Sequence, residues 1–180
     1  RVEEGLALAE RLLASVGIKM PMRVGPAAIA KFVGQRLSRR FRGYEFNERA
    51  VASIPAVELR RVDILYSVVS GISFVDPILG RVVQGEFLRY ALETGEPFRI
   101  ALALAQELGY LAVPGPKGWA DVEAVGVQLK QVAMRVGHPH VIGVADGAMG
   151  MAAYLCGRTA EARDYLQAGL GTLRDWGSGV

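Results

Sequence analysis

From Pro139 to Gly177 apolar and small residues recur at intervals of three and four, with one interruption at Cys156-Gly157-Arg158-Thr159. That period belongs to the α-helix and the interruption to a tight turn. The stretch therefore predicts two amphipathic helices packed back to back. Ile142, Ala145, Met149, Ala152, Ala153 and Leu155 are the expected inner face of the first helix. Ala162, Leu166, Gly169, Leu170, Leu173 and Trp176 are that of the second, with Thr159 as its N-cap and Glu161 in its first turn. A hairpin of this kind cannot bury its apolar side alone, so the rest of the chain must supply similar neighbours.

It supplies helix after helix. Val2 to Val16 carries Leu6, Leu8, Ala9, Leu12, Leu13 and Val16 as its apolar side and stops at Gly17. Pro26 opens a second helix, where a missing N–H costs nothing, with Ile29, Phe32, Val33, Leu37 and Phe41 at helical spacing. Gly43 to Ser53 is a polar connector with room for a short helical turn. Pro55 opens a long helix that runs to Asp76-Pro77 and is apolar nearly all round past Asp63, which predicts a central, buried rod. Ile78 to Thr94, Phe98 to Tyr110 and Trp119 to Val136 follow, punctuated by Gly95, Pro97, the loop at 113–118 and Gly137. The expected fold class is all-α, built from stacked antiparallel hairpins across residues 1–180 as a single helical region.

Composition agrees. The 180 residues are 51% hydrophobic but only 8% aromatic, and Ala, Leu and Val suit close helix packing better than a β-sandwich. A net charge of +3 falls short of a nucleic-acid signature unless the charge clusters. The longest apolar run, Ile64 to Leu79, is too short for a membrane span and is broken by Asp76-Pro77. The lone Cys156 forbids an internal disulfide, in keeping with a reducing compartment, and reads as a small packing residue. The chain starts at Arg1 inside a helical pattern and reads as a fragment of something longer.

Charge does gather in one place. Arg36, Arg39 and Arg40, with Lys31 and Arg42 beside them, form a basic face on the second helix. These three arginines are the candidate partner-binding residues, able to meet phosphate, an acidic peptide or nucleic acid. The competing reading is a solvated face whose arginine stems cover apolar surface, and it is favoured because no aromatic platform or Gly-rich loop accompanies the charges. His138-Pro139-His140 invites a metal reading, yet the chain has no further His and no carboxylate in helical register, so capping or packing is expected. Asp63, Asp76, Asp146 and His138 are the available acids and bases, and no two are spaced for a named reaction. Asp146 stands out on a helix of small apolar residues, where a carboxylate must be exposed, paired or functional, and exposure or pairing is the expectation. No catalytic residue, metal ligand or cofactor site is expected.

Gly150, Ala153, Gly157, Ala162, Leu166 and Gly169 follow the spacing of a tetratricopeptide repeat, clearest over residues 139–177. The starts at Pro97 and Pro139 lie further apart than the usual period of about 34 residues, and the loop at 113–118 takes up some of the difference. The blocks Ile54 to Asp63, Gly71 to Gly80, Gly95 to Ala101 and Arg135 to His140 resemble the C-terminal helical region of large bacterial serine/threonine protein kinases. In that family a kinase domain is followed by an AAA-type signalling ATPase module and a tetratricopeptide-like tail. The resemblance implies a right-handed helical-repeat segment, in the cytoplasm, that contacts a protein, a peptide or the parent's own kinase and ATPase modules. This chain holds no kinase Gly-rich loop, His-Arg-Asp, Asp-Phe-Gly or phosphate loop, so such activities would lie outside it. The alternative is a regulatory helical segment of an ATPase-type transcription regulator, supported by the basic face at Arg36 to Arg42. Neither a nucleic-acid partner nor a membrane is expected.

Overall fold

The computed structural model of the chain describes residues 2–20, 25–26, 30, 33–34 and 43–178. Among these the protein is all-α, with seven helices of at least 14 residues, two short 3-10 turns and no strand. The helices fall into two compact units, Arg1–Glu96 and Pro97–Val180. The expected helix from Pro26 with its basic face falls largely outside the described residues, and Arg36, Arg39 and Arg40 lie entirely outside them.

In the first unit, α1 (Val2–Ser15) packs on α2 (Ala56–Val75), and α2 packs on α3 (Pro77–Thr94). Leu13 and Val16 bury the end of α1, and Arg61 of α2 donates from Nε to the Val16 carbonyl at 2.7 Å, which pins that end. The connector ends in a 3-10 turn, Val51–Ser53, followed by the buried Ile54. Its Arg49 N–H donates to the Gly95 carbonyl at 2.8 Å. Pro77 can open α3 because Asp76 caps it: the carboxylate accepts from the N–H groups of Ile78 at 3.1 Å and Leu79 at 2.9 Å. Gly95 ends α3 at φ 76°, and a Cβ there would collide with the Asn47 carbonyl.

The enclosed rod of this unit is α3, where Leu79, Gly80 and every residue from Val82 to Leu88 are buried. The expectation placed α2 there. Instead α2 buries one stripe, Val62, Leu65, Val68, Val69 and Ile72, and leaves Phe74 92% exposed and Val75 and Val57 also in solvent. An apolar run thus marks a rod that can be enclosed, while its neighbours decide how much of it is covered. Phe87, fully buried against the Tyr66 ring at 5.7 Å, anchors the α2–α3 contact, and burying such a side chain is worth about 2–3 kcal/mol.

In the second unit, α4 (Pro97–Leu111) leads through a 3-10 turn, Gly115–Gly118, into α5 (Trp119–Val136). Then come α6 (Pro139–Leu155) and α7 (Thr159–Ser178). The helix α4 packs on α5 and α6, and α6 packs on α5 and α7. Ile100 to Ala105 are buried without a break, as a helix covered on two sides requires. Gly137 ends α5 at φ 67°.

The α6–α7 contact is a seam of glycines. A Cβ on Gly150 would lie 2.6 Å from Leu166 Cγ, and one on Gly143 would lie 2.5 Å from Leu173 Cγ and 3.2 Å from the Gly169 carbonyl. Removing those β-carbons lets the two backbones approach. Among the described helices α7 packs extensively on α6 alone, which leaves its other sides in solvent. So Ala162 and Gly169 are buried as expected and Leu166 lies against Gly150 as expected, though 41% exposed, whereas Leu170 and Trp176 are 58% and 50% exposed. The N-cap position also differs. Arg158 precedes the first helical residue and its carbonyl accepts from the Ala162 N–H at 2.9 Å, which puts Thr159 inside the helix. Among the described residues no helix is long and apolar enough to cross a membrane.

Candidate functional site

Three helices of the second unit line a cleft of about 190 Å³. Trp119, Glu123, Gly126, Val127 and Lys130 follow one another on α5 at intervals of three, four and one, so they share one face. Ala145, Asp146 and Met149 come from α6, and Glu161 and Tyr165 from α7. Gly126 admits Met149 to the floor of the cleft. With no β-carbon there, the Met149 thioether lies directly on the α5 backbone, where an added Cβ would fall 3.0 Å from Met149 Cε.

The chemistry of the lining is uneven. Met149, Val127, Leu129 and Ala145 are apolar, while Glu123, Asp146 and Glu161 face a single lining cation, Lys130. Arg158 sits at the start of α7 and grips both oxygens of Glu161, with Nε to Oε2 at 2.7 Å and Nη2 to Oε1 at 2.6 Å. Its guanidinium also lies 4.4 Å from the centre of the Trp119 ring. Arg158 therefore ties the first turn of α7 to the first residue of α5 and neutralises Glu161.

Asp146 has no such partner. It is half-buried, and no described residue reaches its carboxylate with a hydrogen bond or a close ion pair. Burial pushes its carboxyl above the usual Asp range, and the Lys130 charge draws it part of the way back. The sequence marks Asp146 as anomalous among small apolar neighbours, and the structure puts it in the cleft. The other cleft residues carry no such signal. Trp119, Glu123, Met149 and Tyr165 read as ordinary members of their helices, and only folding brings them together.

The remaining sequence candidates take structural places. Asp63 is exposed on α2, and Asp76 caps α3. His138 caps α6, its Nδ1 accepting from the His140 N–H at 3.2 Å. The two imidazoles join Phe98 and Trp176 in a cluster of four rings with centroids 5.4 to 6.4 Å apart. Among the described residues no three His, Cys, Asp or Glu side chains are grouped to hold a metal ion. Cys156 is buried at 4% exposure, and that burial raises its thiol pKa against the opposing pull of Arg158.

Comparison of the chain with protein-family models, curated proteins and solved structures finds no match in any of the three.

Proposed function

We propose that this chain is a helical-repeat scaffold, a non-catalytic docking or sensor segment of a bacterial serine/threonine kinase–ATPase signalling protein acting in the cytoplasm. The observation that supports this most directly is the packing of α4 to α7. Two hairpins follow one another, and α6, the first helix of the second hairpin, is covered by both helices of the first and by its own mate α7. In tetratricopeptide-like stacks each hairpin likewise covers the next, and this likeness supports the reading. Such a stack offers side-by-side helices as a docking surface for a protein, a peptide or the parent's own modules.

The cleft lining agrees with docking rather than bond-making. It is built from carboxylates, one lysine and one tyrosine around an apolar floor, a set suited to holding a charged side chain. The test is a titration of the purified chain with Mg-ATP and a phosphoacceptor protein. No binding heat and no phosphate release or transfer are expected. Turnover by the pure chain that disappears in Asp146→Asn would overturn the scaffold reading.

A further inference from the structure

The cleft of α5, α6 and α7 carries an imbalance that its own residues leave open. Arg158 holds Glu161 and its charge also acts on Glu123, while Lys130 acts on Asp146 through charge alone, so three carboxylates meet two cations and the surplus rests on Asp146. Asp146 is half-buried, and no described residue places a donor at contact distance from its carboxylate. A carboxylate in that position gains most from a charged donor, because charge-assisted hydrogen bonds are about twice as strong as neutral ones. Between the carboxylates the lining is apolar, formed by Met149, Val127 and Ala145 with the Tyr165 ring. A matching guest has a cationic head on an apolar stem. Lysine and arginine side chains have that build.

Size and net charge narrow the choice. The space, about 190 Å³, falls below the roughly 300–1,000 Å³ of drug-sized sites and suits one side chain. The chain as a whole is positive, at +3, so a cationic partner is not drawn to its surface in general. The acidic cleft is the exception.

We propose that this cleft receives an arginine or lysine side chain from a partner polypeptide, with Asp146 as its charge partner and Met149 and Tyr165 beside its stem. The inference rests on the docking reading above and adds the chemistry of what docks. Lys130 competes with the guest for Asp146 and so limits its affinity.

The test uses the full 180-residue chain, labelled with ¹⁵N, and two capped alanine-rich decapeptides that differ only in one arginine or its neutral isostere citrulline. The arginine peptide is expected to shift the Trp119 indole and the Gly126 and Asp146 amides, and the citrulline peptide to bind at least about tenfold more weakly. Asp146→Asn should lose the same factor, Glu45→Gln should lose nothing, and Lys130→Met should bind more tightly. The gain in Lys130→Met cannot come from a damaged fold. Equal binding of both peptides, unchanged binding by Asp146→Asn, shifts that map away from the cleft, or no shift up to millimolar peptide each overturns the assignment. Shifts elsewhere on α4 to α7 would leave docking standing and remove only this cleft, whereas ATP turnover would end the docking reading whatever the peptides do.

Discussion

Gly169 of α7 sits so close to Gly143 of α6 that a β-carbon on the first would fall 2.8 Å from the carbonyl oxygen of the second. The Gly147 nitrogen, at 3.0 Å, closes the same space. Both obstacles are backbone atoms and cannot swing aside. Gly169→Ala is therefore expected to destabilise the second unit by about 1–3 kcal/mol. Gly171 lies on the same helix with nothing within 4 Å, and Gly171→Ala should stabilise by up to about 1 kcal/mol. Both tryptophans, Trp119 and Trp176, belong to this unit, so urea unfolding followed by their fluorescence reads the pair directly.

Gly95 and Gly137 both end helices in the left-handed region, at φ 76° and 67°. Alanine at either should cost about 1–2 kcal/mol for the backbone conformation alone. At Gly95 the added Cβ also meets the Asn47 carbonyl, while at Gly137 the nearest atom, the Met134 carbonyl oxygen, is 4.0 Å away. Gly95→Ala should thus be the more damaging by at least about 1 kcal/mol. Thermal melts by circular dichroism compare them.

Asp76 holds the start of α3 through two N–H groups. Asp76→Ala should lower stability by about 1 kcal/mol, and Asp76→Asn, whose side-chain oxygen can accept the same bonds, should retain most of it. Equal losses in the two variants, measured by urea unfolding, would mean that the carboxylate charge and not the cap is what matters.

The Asp146 carboxyl binds its proton more tightly in the folded chain than in the unfolded one, because burial penalises the charged form. Its contribution is therefore most favourable below the ordinary Asp pKa and declines as pH rises through the raised folded-state value. Asp146→Asn should raise the melting temperature at neutral pH and leave it unchanged in acid. Lys130→Met removes the charge that opposes the shift, so its loss on going from acid to neutral pH should be larger than in the parent chain.

Cys156 should react slowly. At 4% exposure, and with its thiol pKa raised by burial, it is expected to take up iodoacetamide at least about tenfold more slowly in buffer than in urea. Equal rates would show that the α6–α7 turn opens freely.

Local rules made much of this fold legible. The bounds of α5, Trp119–Val136, are those the flanking Gly118 and Gly137 predict, and Asp76-Pro77 divides α2 from α3 where the proline requires. Gly150 and Gly169 lie in the close contact that their spacing implies. What periodicity could not supply was the number of neighbours. Val75 and Leu170 continue apolar stripes yet are 54% and 58% exposed, and α3 rather than α2 is the enclosed helix. Arg158 holds the cap position because the helix begins at Thr159, a one-residue difference that propensity does not resolve. The cleft was visible only through Asp146. Its other members are separated by up to a full hairpin in sequence, and a site assembled from three helices leaves no linear pattern to read.

The glycine seam also sets an index. Gly143 and Gly150 are seven residues apart, two turns of helix, and each accepts a leucine from α7 into the notch left by its missing side chain. Sliding α7 along α6 by one residue would drive Leu166 and Leu173 out of both notches at once. The last two helices can therefore mesh in a single alignment, like a pawl in a ratchet, and the separation of Glu161 from Asp146 across the cleft is held by that mesh.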